Sequence, residues 1–151
     1  MLTLYIDDFD CEGCTSAYIF TNLSYYCNNI RHRIFLTYRD KKYRDIIFND
    51  DGLIFPNVIY IYELTVYSRI DFSKTFPDLK SIGRFNVDGN YHIDSFGGVE
   101  SITWFNHMTD MLYPDKRERF GINIICKLIG VNMYRFTTPK GSWDISVMLF
   151  N

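Results

Sequence analysis

Two cysteines separated by two residues, Cys11 and Cys14 in "DDFDCEGCTSAY" (7–18), form the stretch of the chain that most resembles a chemical motif. A strand-like run, "LTLYI" (2–6), precedes the pair, and apolar residues with a helical period follow it. The start of a helix favours a thiolate, so Cys11 would attack a disulfide and Cys14 would resolve the product. The pair therefore indicates either thiol–disulfide chemistry or half of a metal site.

The surroundings of the cysteines resemble the thioredoxin and glutaredoxin families. Pro56 lies 45 residues after Cys11 and precedes the apolar run "NVIYIY", as the cis-proline of those families precedes a strand. The segment "NYHIDSFGGVESITWF" is similar to their later strand, glycine pair and last helix. The resemblance implies a thiol–disulfide oxidoreductase whose site contains Cys11, Cys14 and Pro56.

Acidic residues around the cysteines favour a different interpretation. They are Asp7, Asp8, Asp10 and Glu12. Nearby negative charge disfavours a thiolate, and several carboxylates offset a helix dipole that contributes less than about 1 kcal/mol at exposed sites. In addition, "YRDIIF" (43–48) has the pattern of a strand and not of the crossover helix that a parallel strand pair requires. We therefore expect no catalytic residues and keep the oxidoreductase as the alternative function.

A zinc site would need two further ligands besides the cysteine pair, and the candidates are Cys27, His32 and Cys126. Cys27 lies on the apolar face of the predicted first helix, and Cys126 lies inside "IICKLI", so both have the pattern of core residues. The interval from Cys27 to His32 is not a usual zinc-ligand spacing. We expect neither a metal ion nor a cofactor.

The charge distribution argues against a partner that is held mainly through phosphates. The chain has 16 basic and 18 acidic residues, and neither sign forms a long block. The window "RHRIFLTYRDKKYR" (31–44) interleaves bases with aromatics, a pattern that can clamp a single nucleic-acid strand. Solvated strand faces around a charged turn explain the window more simply, so nucleic acid is not the expected partner.

Hydropathy gives no reason to expect a membrane protein. No apolar run approaches the roughly 20 residues of a membrane-spanning helix. The first residues, "MLTLYIDDFD", lack the basic region and long apolar core of a signal peptide. We expect a cytoplasmic protein, in the host cytoplasm or a virion if the protein is viral, that does not bind membranes and keeps its thiols reduced.

Composition predicts the fold class and suggests an origin. The chain has one alanine and no glutamine, whereas isoleucine, asparagine, tyrosine and phenylalanine are abundant, a bias typical of the AT-rich genomes of many phages and large DNA viruses. Few strong helix formers and many strand formers favour a sheet-dominated core. We expect one domain over 1–151 of α+β class, with a mainly antiparallel sheet of about nine strands and two amphipathic helices.

The element pattern supports that expectation. Helices are predicted within "TSAYIFTNLSYYCNNI" (15–30) and "VESITWFNHMTDML" (99–112), where apolar residues recur every three or four positions. Hairpins are predicted for 33–48 and, through Asp88-Gly89, for 84–93. The segment 68–83 is predicted to be an irregular connection, and no internal repeat is apparent.

Surface chemistry provides the functional prediction. Twelve tyrosines, thirteen phenylalanines and two tryptophans exceed what one core of this size absorbs, and aromatic residues are enriched at protein interfaces. The last predicted strand, "WDISVMLF", ends apolar on both sides, so we assign Trp143, Met148 and Phe150 to an interface. The sequence thus predicts a non-enzymatic interaction or assembly protein, encoded by a phage or virus, whose partner is another protein or a second copy. Such a protein would be a virion or assembly component or a host-interaction factor.

Overall fold

The computed structural model describes residues 1–40, 46–49, 51–87, 93–107, 125–130, 133–138 and 141–146. The elements in chain order are β1 (Leu2–Tyr5), a 3₁₀ turn (Ile6–Phe9), α1 (Ser16–Asn28), β2 (Ile34–Thr37), β3 (Val58–Val66), β4 (Ile70–Asp71), α2 (Phe72–Thr75), β5 (Ser81–Val87), β6 (Ile93–Ser95), β7 (Ser101–His107), β8 (Ile125–Gly130), β9 (Met133–Thr138) and β10 (Gly141–Ser146). Eight strands form one sheet in the order β1-β2-β3-β5-β7-β8-β9-β10, and β4 pairs with β6 in a second sheet.

Strand direction corrects the predicted fold class. Strands β1, β2, β3, β5 and β7 pair with one another in parallel, and the pair β4–β6 is parallel as well. Antiparallel pairing is confined, in the described part of the chain, to β7–β8, β8–β9 and β9–β10. The expectation of a mainly antiparallel sheet is therefore wrong. An apolar run favours a strand but does not specify the direction of the neighbouring strand.

Both predicted hairpins are wrong for the same reason. Strand β2 pairs in parallel with β1 and β3, and Phe48 makes a parallel bridge with Val66. Strands β5 and β6 belong to different sheets, and Asp88-Gly89 falls outside the described residues. Turn residues produce a hairpin only when the next strand pairs antiparallel with the previous one. Here the strands are parallel, so each connection leads from the carboxyl end of one strand to the amino end of the next.

The first predicted helix is confirmed as α1. Thr15 caps it, because the Thr15 hydroxyl oxygen accepts a hydrogen bond from the backbone N–H of Tyr18 at 3.1 Å. The helix buries one face, formed by Ile19, Phe20, Leu23, Ser24 and Cys27. Helix α2 is a single turn inside the segment that was expected to be irregular.

The second predicted helix, 99–112, is wrong over its described part. Residues Ser101–His107 form β7, which pairs with β5 along its length, and 108–112 fall outside the described residues. The spacing of Ile102, Phe105, Met108 and Leu112 suggests a helix, but Ile102 and Phe105 lie in β7, and a three-residue interval also separates the buried Val58 from the buried Ile61 at the start of β3. A three-residue interval between apolar residues therefore occurs where these strands begin and does not by itself indicate a helix.

A buried column of aliphatic side chains runs across the five parallel strands. Its members are Leu4, Leu36, Ile61, Ile82 and Ile102, which are register partners from strand to strand. Each is at most 9% exposed. Along the chain they are separated by 32, 25, 21 and 20 residues. Successive strands at such intervals, stacked side by side in chain order, form a short solenoid.

Three segments of the solenoid repeat without gaps. They are "FPNVIYIYEL" (55–64), "FPDLKSIGRF" (76–85) and "FGGVESITWF" (96–105). Their first residues, Phe55, Phe76 and Phe96, are buried, and the first two rings stack with centroids 4.8 Å apart. The fifth residues are linked in a ladder, because Lys80 N–H donates to the Ile59 carbonyl at 2.9 Å and Glu100 N–H donates to the Lys80 carbonyl at 2.7 Å. The expectation that the chain contains no repeat is wrong.

Candidate functional site: the open face of the parallel sheet

Next to the buried column, the opposite side of the parallel strands is accessible to solvent, whereas Leu64, Val66 and Phe85 farther along β3 and β5 are buried. Successive residues of a strand point to opposite faces of a sheet, so the residues that flank each column member lie on this side. We call this set the open face: Thr3, Tyr5, Phe35, Thr37, Tyr60, Tyr62, Ser81, Gly83, Ser101 and Thr103. All ten are exposed or half-buried. Helices α1 and α2 contribute buried apolar side chains to the same core cluster as the column.

An aromatic ridge forms the centre of the open face. The rings of Phe35 and Tyr60, which are register partners on β2 and β3, stack with centroids 4.4 Å apart. Tyr62 follows on β3 with 48% of its surface exposed. Partial burial of the phenol, reinforced by the neighbouring Tyr62, raises the pKa of Tyr60 above its usual value. The hydroxyl group can both donate and accept a hydrogen bond.

Gly83 on β5 allows this arrangement. A Cβ atom at Gly83 would lie 2.7 Å from the Tyr60 hydroxyl oxygen and 2.6 Å from the Tyr62 carbonyl oxygen, closer than real Cβ contacts. The Tyr60 side chain therefore reaches across from β3 to β5 over a position that has no side chain. Beyond it, Ser81 and Ser101 are register partners on β5 and β7. The open face thus has large aromatic side chains on β2 and β3 and small side chains on β5 and β7.

A fixed cation borders the open face beside β1 and β2. The Arg39 guanidinium lies 4.0 Å from the centroid of the Tyr5 ring, a cation–π contact. Asp8 holds it in place with two hydrogen bonds of 3.0 Å, from Nε to Oδ1 and from Nη2 to Oδ2. The bonds from Arg39 hold the pKa of Asp8 below its usual range. Asp7 accepts the backbone N–H groups of Arg39 and Asp40, both at 2.8 Å.

The residues of the oxidoreductase alternative are not brought together. Cys11 and Cys14 are joined in a disulfide with their Cα atoms 5.2 Å apart, after the carboxyl end of β1, so the expectation that the thiols stay reduced is wrong for this pair. Pro56 lies before the amino end of β3. Because β1, β2 and β3 are parallel, the cysteine pair and Pro56 lie at opposite edges of the sheet. No cis peptide bond occurs among the described residues.

The candidate zinc ligands are also dispersed. Cys27 is a free, buried thiol of the core, and burial raises its pKa to about 12. His32 is exposed before β2, and Cys126 lies in β8. In the described part of the chain, no three His, Cys, Asp or Glu residues lie close enough to hold a metal ion. None of the helices that the structure describes has the length and hydropathy needed to cross a membrane.

Some aromatic side chains are exposed, as predicted, but the predicted interface is only partly described. Among the residues that the structure describes, the exposed tyrosines are Tyr18, Tyr25, Tyr26, Tyr62 and Tyr67. Trp143 lies in β10, in register with Phe136 of β9, whereas Met148 and Phe150 fall outside the described residues. The C-terminal interface therefore stays a prediction.

Sequence reasoning missed the open face. The signal that could have found it is the spacing of "FPNV", "FPDL" and "FGGV", which begin 21 and 20 residues apart, since a nearly constant interval between similar segments indicates stacked repeats. No protein-family model, curated protein or solved structure matches this chain.

Proposed function

We propose that this protein is a non-enzymatic interaction module that binds an extended segment of a partner protein on its open face. The observation that carries the proposal is the solvent-accessible ridge of Phe35, Tyr60 and Tyr62, which lies on strands whose opposite side carries the buried column. Aromatic side chains and arginine dominate the binding energy of protein interfaces, and here Arg39 borders the ridge.

The solenoid architecture supports the same class of function. Leucine-rich repeats are built from units of about 20–29 residues, each of which contributes one strand to a continuous sheet. Successive column residues of this chain from Leu36 to Ile102 are 20 to 25 residues apart, so the two architectures are similar. Solenoids of this type present extended surfaces to other macromolecules.

The chemistry of the open face suits a polypeptide better than a polyphosphate. Hydroxyl groups of Tyr60, Ser81, Ser101 and Thr103 can hydrogen-bond the backbone of an extended segment, and the aromatic rings provide apolar contact. Arg39, the cation beside the face, is already paired with Asp8. A second copy of the chain remains the other possible partner. The phage or viral origin and the cytoplasmic location are proposals that rest on sequence composition and pattern.

Selection of random twelve-residue peptides displayed on phage tests the proposal. Enriched peptides are expected to bind the wild-type protein and to lose at least tenfold in affinity on Tyr62→Arg, since a charge would then occupy the centre of the ridge. The matched control is Tyr25→Arg on α1, where the tyrosine is 73% exposed and affinity should be unchanged. Sedimentation of the same variants reports whether the face instead binds a second copy.

Two outcomes would contradict the proposal. The first is that no peptide is enriched and self-association does not respond to Tyr62→Arg. The second is that Tyr62→Arg and Tyr25→Arg weaken binding equally, which would place the binding surface elsewhere. Circular dichroism of each variant establishes that the fold is retained before binding is compared.

A further inference from the structure

The two cysteines are the ends of a tight backbone turn, Cys11-Glu12-Gly13-Cys14. The backbone N–H of Cys14 donates to the carbonyl of Cys11 at 3.0 Å, and Gly13 has a φ of +77°. A bond from the first to the fourth residue with positive φ at the third is the geometry of a type II turn, which favours glycine at the third position. The two cysteines are thus joined by a backbone hydrogen bond as well as by the disulfide.

Both ends of this turn are anchored. Oδ1 of Asp10 accepts the backbone N–H of Cys11 at 2.9 Å, and Thr15 caps α1 immediately after Cys14. Reduction of the disulfide therefore leaves two thiols at a separation suited to bonding, since Cα atoms 5.2 Å apart lie within the range of disulfides. A preorganised pair has a high effective concentration, which favours ring closure.

Access to the pair is asymmetric. Cys11 is exposed and Cys14 is half-buried, and no atom of the surrounding structure lies within 4 Å of the Cβ position of Gly13. A small disulfide can therefore reach Cys11, while Cys14 is placed to attack from the inside. The acids that surround the pair in sequence are partly engaged elsewhere, because Asp7 binds backbone N–H groups and Asp8 binds Arg39.

We propose that Cys11 and Cys14 form a reversible thiol–disulfide exchange site for small disulfides of the glutathione type. The Cys11 thiolate attacks one sulfur of glutathione disulfide, which breaks the sulfur–sulfur bond and releases one glutathione. The Cys14 thiol loses its proton and attacks the Cys11 sulfur of the mixed disulfide, which releases the second glutathione. Two cysteine thiols are oxidised to one disulfide, one glutathione disulfide is reduced to two thiols, and the reverse reaction uses two glutathiones.

This site is independent of the open face and of Pro56. The turn determines the equilibrium between dithiol and disulfide, whereas the rate depends on the thiolate fraction and rises with pH. Thiol–disulfide exchange at the cysteine pair can therefore be tested separately from peptide binding on the open face.

The test is to equilibrate the full-length protein in glutathione buffers of graded redox ratio, quench with acid, alkylate, and identify the peptides by mass. The Cys11–Cys14 peptide should titrate between dithiol and disulfide, and Cys14→Ser should accumulate glutathione on Cys11. The buried thiol of Cys27 should stay unmodified, which reports that the protein remains folded during equilibration.

The variant Gly13→Ala tests whether the turn favours disulfide formation or whether the two thiols react only because they are close in sequence. A left-handed residue with a Cβ atom costs roughly 1–2 kcal/mol, so the disulfide should need about fivefold to thirtyfold more oxidising buffer. The matched control is Gly52→Ala, which has a φ of +90° and equally open space around the Cβ position but lies in another loop. It should leave the cysteine titration unchanged. A pair that stays reduced at every ratio, or equal titrations for the two glycine variants, would overturn the inference.

Discussion

The two faces of the parallel sheet differ in chemistry although they are built by the same strands. Behind the sheet, the column from Leu4 to Ile102 contains only leucine and isoleucine, all buried. On the open face, register partners differ from strand to strand, as at Phe35, Tyr60 and Ser81. Close packing restricts the first set to side chains of matching volume. Solvent places no such restriction on the second set, so recognition chemistry can vary there without loss of the fold.

The largest effect is expected behind the sheet, at Phe76. Its ring lies within 6.1 Å, centroid to centroid, of three others, those of Phe48, Phe55 and Phe72. Phe76→Ala should lower the free energy of unfolding by about 3–5 kcal/mol, since it removes a buried ring and leaves a cavity. Urea denaturation measures the loss. Tyr25→Ala, on the exposed surface of α1, serves as the control and should change stability by less than about 0.5 kcal/mol.

Adjacent residues of β3 give the sharpest comparison of the two faces. Ile61→Ala should cost about 2–5 kcal/mol of stability and leave the peptide affinity of the folded protein unchanged. Tyr62→Ala should do the reverse, with a stability change below about 0.5 kcal/mol and weaker peptide binding. Thermal denaturation and peptide titration of the two variants measure these effects. Equal destabilisation by both substitutions would show that the two faces do not divide in this way.

A smaller effect is expected at Gly83, where the open face itself is closely packed. Gly83→Ala should lower stability by about 1–3 kcal/mol, because the added methyl group meets the Tyr62 carbonyl oxygen and displaces the Tyr60 ring. Gly98→Ala is the control, since its Cβ would make only ordinary contacts, 3.4 Å from Nζ of Lys80 and 3.6 Å from the Leu79 carbonyl oxygen. Chemical denaturation should separate the variants, and similar losses would argue against the Tyr60 arrangement.

The smallest effect concerns the ion pair at the border of the open face. The hydrogen bond from Arg39 holds the pKa of Asp8 below its usual 3.8, so this pair stabilises the folded state above that pH. The contribution is lost as the pH falls through the lowered pKa, because the unfolded chain takes up the proton first. The difference in free energy of unfolding between wild type and Asp8→Asn, measured by urea denaturation, should therefore become smaller below about pH 4. It should also become smaller in high salt, which screens the ion pair. A difference that is constant with pH would assign the effect to something other than charge.

Local chemistry alone determined several elements of this protein. Thr15 and the apolar spacing after it specify α1, because a capping hydroxyl and a buried stripe act within one helix. Strands were predicted at β1, β2 and β3, and Pro56 was expected to precede a strand, as it does before Val58. The pairing of β8, β9 and β10 is also local, because short connections join consecutive strands that pair antiparallel.

Only the tertiary structure decided strand direction and the composition of the open face. Parallel pairing depends on where a connection returns the chain, which no residue of the strand itself encodes, and so two hairpins and the helix at 99–112 were predicted wrongly. The open face unites Phe35, Tyr60 and Gly83 from three strands whose side chains meet only after the register is set. The sequence does indicate this register through the similar spacing of Phe55, Phe76 and Phe96, 21 and 20 residues apart, because a buried phenylalanine precedes each of the strands β3, β5 and β7.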